Sequence, residues 1–213
     1  MTTPEPRRFT LFSTTGLSIT MVLGLVLGLV LTLVVGLSSG ILGLRGSTPG
    51  DTSAEAGFAR DMSLHHAQAV AMGMIAYDRG TTVTVRTIGG DIAVTQQGQI
   101  GIMSQWLRDW GLNINSSAQP MAWMPDGQGA LEDGLMPGMA TPDEMAALEN
   151  ARGPEVDRLF IKMMIKHHLG GIHMVDGVLK QSGDEDVLWL ANSMKAGQQK
   201  EIRDLQAAEK SIP

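Results

Sequence analysis

FARDMSLHHAQAVAM, residues 58–72, and FIKMMIKHHLGGIHM, residues 160–174, are two copies of one stretch, set 102 residues apart. The shared positions are Phe58/Phe160, Met62/Met164, His65/His167, His66/His168 and Met72/Met174. The register runs on without a gap, because Gln96, Gln97 and Ile100 recur as Gln198, Gln199 and Ile202. A repeat of this length is one supersecondary unit used twice, and two such units pack into one body. At about 100° per residue, Phe58, Met62, His65, His66, Ala69 and Met72 share one helical face about a third of the circle wide. Phe160, Met164, His167, His168, Gly171 and Met174 share the same face in the second copy. That is the core-facing stripe of a bundle helix. Lys162, Lys166, His173 and Lys180 fall opposite, on the solvent side.

Capping and breaking residues set the other bounds. The first helix starts near Thr52 or Ser53 and runs to about Arg79, with Gly80 ending it. Residues 81–87 (TTVTVRT) alternate like a strand, but the repeat register argues for an irregular connection into a helix from Val85 or Ile88 to Trp110. Residues 113–140 are rich in Asn, Ser, Gly, Pro and Met and form a long loop of the kind that is usually functional. Thr141-Pro142-Asp143-Glu144 is a capping box that opens a short helix to about Ala151. Gly153-Pro154 starts a third long helix, from Glu155 to Gln181, and a fourth covers Glu185 to Lys210. The expected fold is all-α: a four-helix bundle of two repeated hairpins, 55–111 and 154–210, joined by the connection 112–153.

The N-terminal part differs in kind. No charged residue lies between Arg8 and Arg45, and Leu17–Leu37 is nearly all Leu, Val and Gly. About 20 apolar residues in helix span a bilayer core. With Arg7 and Arg8 before the run, the expectation is a cytoplasmic tail (1–10), a single transmembrane anchor (11–44), a linker (45–54) and an extracytoplasmic, periplasmic-side bundle (55–213). The competing reading is a cleaved secretory leader, whose apolar region is shorter and ends at a small-residue cleavage site.

Charge and chemistry narrow the function. Setting aside Arg7, Arg8, Arg45 and Glu5 moves the net charge from −6 to −8 for the body, which argues against nucleic acid as a partner. There is no cysteine, so neither a disulfide framework nor a thiolate metal site is available. Imidazole and thioether are then the soft or borderline ligands left. The candidate metal ligands are Met62, His65, His66 and Met72, with Met164, His167, His168 and Met174. Gln96 and Gln99, or Gln198 and Glu201, on the second helix of each hairpin are placed to bond one ring nitrogen and leave the other free. Buried polar core is the plain alternative for such residues, and methionine on a helix face is commonly filler. The inward Glu and Glu-x-x-His sets of di-iron bundles are missing. Copper, as Cu(I), suits His and Met best. Met121, Met124, Met136 and Met139 in the loop fit the same preference or fill gaps beneath it. His173, among lysines, is not expected to bind.

The paired Met-x-x-His-His motif, its downstream methionine, and Gln198-x-x-Glu201-Ile202 resemble a bacterial ferritin-like domain family of unknown function. That family includes the CopM-like periplasmic copper-binding proteins. The resemblance covers residues 55–207 and implies a ferritin-like four-helix bundle that binds copper and protects against it. Gln99 in place of a second glutamate, and Ala71 opposite His173, depart from equivalence. The function expected is copper sequestration, storage or delivery, without catalysis. An accessory subunit of a membrane complex, such as a respiratory assembly, is the second reading. A copper-dependent oxidoreductase is a weaker third.

Overall fold

Five α-helices carry the fold in the computed structural model, which describes residues 48–212. They are α1 (Ala54–Arg79), α2 (Val83–Asp109), α3 (Pro142–Asn150), α4 (Pro154–Leu179) and α5 (Glu185–Glu209), with a 3₁₀ turn at Gly127–Ala130. The apolar run Leu17–Leu37, and with it the expected anchor, lies outside the described residues. No helix among the described residues is long and apolar enough to cross a membrane.

The caps follow from short polar side chains placed where helix N–H groups lack partners. Ser53 accepts from Ala56, Asp184 accepts from Asp186 and Val187, and Thr141 with Glu144 closes the expected capping box. The β-branched run 81–87 is where the expectation misses. It is neither strand nor irregular connection, because α2 begins at Val83, capped by the Thr82 side chain on the Val85 N–H. The cause lies 76 residues away. Buried Asp157 accepts from the Thr81 N–H at 2.8 Å, the Thr81 hydroxyl at 2.7 Å and the Thr82 N–H at 3.0 Å. It pins the turn between α1 and α2 to the first turn of α4. Asp157→Ala is expected to leave two backbone donors without a partner and to cost about 2–4 kcal/mol in chemical denaturation. A loss under about 0.5 kcal/mol would show that water replaces the carboxylate.

The two hairpins meet through α1 and α4, which run antiparallel. Two apolar clusters flank the middle of the bundle. One holds Phe58, Met62, Met103, Met174 and Met194, and the other Met72, Ile92, Phe160, Met164 and Leu205. Met62 thus shares a cluster with Met174, and its counterpart Met164 with Met72. This is the reciprocity of an isologous, two-fold pairing. The hairpins are not identical inside. A Cβ on Gly73 would lie 2.5 Å from the Gly89 carbonyl oxygen, and one on Gly89 would lie 2.7 Å from that of Gly73. Only glycine permits this backbone contact between α1 and α2. Val175 and Ala191 occupy the matching places in the second hairpin.

The long connection is ordered against the bundle. Asp61, itself buried, accepts from the Met121 N–H at 2.7 Å and the Trp123 indole at 2.9 Å. Trp123 stands edge-on to Phe58, and Arg60 holds the Asn113 carbonyl. Met121, Met124 and Met136 are buried in the first cluster, and Met139 packs against it. In the apo fold the loop methionines are therefore core.

Candidate metal centre

Between the two apolar clusters lies a layer of four histidines. His65, His66, His167 and His168 are each no more than 1 % exposed. They come from the middles of α1 and α4, where the repeat places them on the inward stripe. His65 and His167, equivalent in the two copies, meet with ring centroids 3.8 Å apart and planes tilted by 35°. Burial lowers His65 to about 4, opposed by its bond to Pro137, and burial followed by the neighbouring His65 charge lowers His66 to about 3. Burial and the other histidines hold His167 well below its ordinary value. These three rings are neutral at physiological pH.

The hydrogen bonds fix which nitrogen carries the proton. The Pro137 carbonyl and the Glu201 carboxylate accept, so the ring nitrogen facing each is the donor. His65 Nε2–H donates to Pro137 O at 3.0 Å, and His168 Nε2–H to Glu201 Oε2 at 2.7 Å. His66 Nε2–H donates to Gln99 Oε1 at 2.7 Å in the same way. Nδ1 of each of these three rings is buried without a hydrogen-bond partner, and His167 lacks one at both nitrogens. Gln99 and Glu201 act as the sequence suggests. Gln96 and Gln198 are buried but do not bond the rings, and their side-chain oxygens are also without partners.

A strap over the layer comes from the Met136-Pro137-Gly138-Met139 stretch. Besides His65 on Pro137, Gln68 bonds both ways with Ala140, donating to its carbonyl at 2.9 Å and accepting from its N–H at 2.7 Å. Gly138 (φ +79) would, with a Cβ, meet the Lys166 carbonyl at 2.4 Å and the His167 Cα at 3.0 Å. Gly170 would meet Pro137 O at 1.8 Å. The Gly170-Gly171 pair inside a helix was a visible signal of such close approach. Gln68 gave none, since a lone glutamine on a helix side is ordinary.

The eight predicted ligands are thus all buried, but they do not gather at one point. The four imidazoles form the central layer, and the thioethers divide between the clusters on either side, Met62 with Met174 and Met72 with Met164. His173 lies outside this layer, 40 % exposed and 3.8 Å from Asp126. Among the described residues no three His, Asp or Glu side chains form a group that would hold an ion. The set fits a soft ion served by neutral imidazole and thioether, not a hard ion needing a carboxylate cage.

The comparisons agree with the fold and correct one expectation. A secreted protein from Streptomyces coelicolor is 42 % identical, with 73 % of this chain and 91 % of that one covered at a TM-score of 0.67. A fragment from Deinococcus radiodurans is 28 % identical over 73 % and 94 % of the two chains, with a TM-score of 0.61. CopM in its Cu(I)-bound form shares the fold at 19 % identity and a TM-score of 0.58, covering 75 % of this chain and 96 % of its own. No curated protein matches the sequence. The description of the Streptomyces protein as secreted overturns the expected placement as a single-pass membrane protein with a cytoplasmic N-terminus. Arginines before an apolar run also mark a secretory leader, and neither the length of the run nor a weak cleavage candidate at Gly36-Leu37-Ser38 decides between the two. Residues 55–209 match the family described as a domain of unknown function, DUF305, and the chain belongs to that family.

Proposed function

We propose that the protein is an extracytoplasmic copper-binding protein that takes up Cu(I) at the histidine layer for sequestration, storage or delivery. One observation carries the reading: four buried imidazoles each keep at least one ring nitrogen that no hydrogen bond among the described residues satisfies. Each such group costs about 1–3 kcal/mol in a folded protein. A soft cation that accepts those lone pairs offsets the cost, and the flanking methionines are the thioethers such an ion prefers. The neutral rings of His65, His66 and His167 are ready to bind without first losing a proton. In this reading His65, His66, His167 and His168 hold the ion, with Met62, Met72, Met164 and Met174 as thioether ligands from either side.

Further support comes from CopM, of the same fold, which has been solved with Cu(I), Cu(II) and Ag. The Streptomyces relative, described as secreted, supports an extracytoplasmic site of action. The protein binds rather than catalyses. Titration of the purified chain with Cu(I) against a competing chelator tests the proposal. Saturable binding that withstands the chelator is expected, and transfer of all copper to a weak chelator would end it.

A further inference from the structure

The repeat lets the chain be compared with itself. His66 and His168 are equivalent, both fully buried, and each directs Nε2 at the residue 33 places on, at 2.7 Å in both hairpins. Both bonds leave Nδ1 bare. Gln99 and Glu201 are equally placed and both half-buried. At the partner of this ring the two sides differ in charge: a neutral carboxamide backs His66, and a carboxylate backs His168.

That change acts on any ion held at Nδ1. A carboxylate bonded to the far nitrogen raises the basicity of the imidazole, and such outer partners shift metal affinity by about 10–100-fold. It also adds a negative charge near the ion, and a divalent ion feels twice the attraction of a monovalent one. A carboxamide polarises the ring less and adds no net charge. We propose that Glu201 sets ion selectivity: through His168 it raises the affinity of the histidine layer for divalent copper, while Gln99 leaves His66 suited to Cu(I). The inference rests on the histidine layer being a copper site. Glu201 is a positioning residue, acting through His168 and touching no ion.

Three near-isosteric variants of the full chain test it: Glu201→Gln, Gln99→Glu, and the exchange of both. Cu(I) and Cu(II) affinities are measured separately against competing chelators, and electron paramagnetic resonance reports the nitrogen ligands of Cu(II). Glu201→Gln is expected to weaken Cu(II) binding about 10–100-fold while Cu(I) affinity stays within about threefold. Gln99→Glu moves the Cu(II)/Cu(I) affinity ratio the opposite way. The double exchange returns the ratio to near its starting value, which a merely structural role for Glu201 would not do. An unchanged ratio in Glu201→Gln, with the unaltered chain still binding copper, overturns this inference and leaves the copper site standing. Equal losses for both ions overturn it as well. Failure of the unaltered chain to bind either ion overturns both. Should Glu201→Gln not fold, Gln99→Glu decides alone, and an unmoved ratio there is a refutation.

Discussion

Replacing His65, His66, His167 and His168 together by alanine is expected to abolish Cu(I) binding, with a loss of at least about a thousandfold, or roughly 4 kcal/mol. The four rings supply every buried imidazole nitrogen that lacks a partner. The thioethers that remain sit in two separate apolar clusters and are left without an imidazole between them. The bundle itself should persist. Alanine is the best helix former, and the substitutions also remove buried polar atoms that have no partners. Circular dichroism separates lost binding from lost folding. His173→Ala serves as the control, because this side chain is 40 % exposed and outside the layer. It should leave the affinity within about twofold. Two results would sink the copper site: unchanged affinity in a folded fourfold variant, or a comparable loss from His173→Ala alone.

The second large effect is acid sensitivity of the copper-free protein. A histidine in an unfolded chain titrates near 6.5, whereas burial holds His65 at about 4 and His66 at about 3. Between those values the unfolded chain binds protons that the folded protein does not, so stability falls as pH falls. The contribution is fully present above about 6.5 and is lost on the way down to the folded values, on the order of 3 kcal/mol for each ring. His167 adds in the same direction. Asp61 works in the opposite sense, since burial raises its carboxyl and its protonation favours the folded state as the solution turns acid. Domains are stable by about 5–15 kcal/mol, so the histidines remove a substantial part of the apo protein's stability by roughly pH 4. Denaturant unfolding across pH 7 to 4 measures this. A flat stability over that interval would contradict it. Copper should move the transition to lower pH by occupying the nitrogens that would take the protons.

Much of this was legible in the residues, for identifiable reasons. The 102-residue repeat fixed the two hairpins, the helical period turned all four histidines inward, and the register named Gln99 and Glu201 as ring partners. These are local or periodic signals. What escaped was decided at a distance. Thr81–Thr87 looks β-branched to any local reading, and only Asp157, folded back from α4, makes the helix start at Val83. The strap has no period, so nothing announced that Pro137 would sit on His65. Gln96 and Gln198 were read as ring partners because they share the inward face, but a shared face does not establish reach. Flanking arginines, the length of one apolar run and a weak cleavage candidate do not separate a leader from an anchor.

The glycine contact between α1 and α2 sets an order of assembly. Gly73 and Gly89 are 16 residues apart, so the loop that brings them together is short and closes at small entropic cost. The contact of His65 with His167 needs a closure of 102 residues. Local contacts form first and distant ones last. During synthesis the N-terminal hairpin therefore pairs while α4 is still unmade and the Thr81–Thr82 turn still lacks Asp157, and its inner face, Phe58, Met62, His65, His66 and Met72, lies open. A nascent chain at that stage is sticky, with half of the layer already in place. The second hairpin, lacking the glycine lock, docks onto a template instead of folding beside an equal.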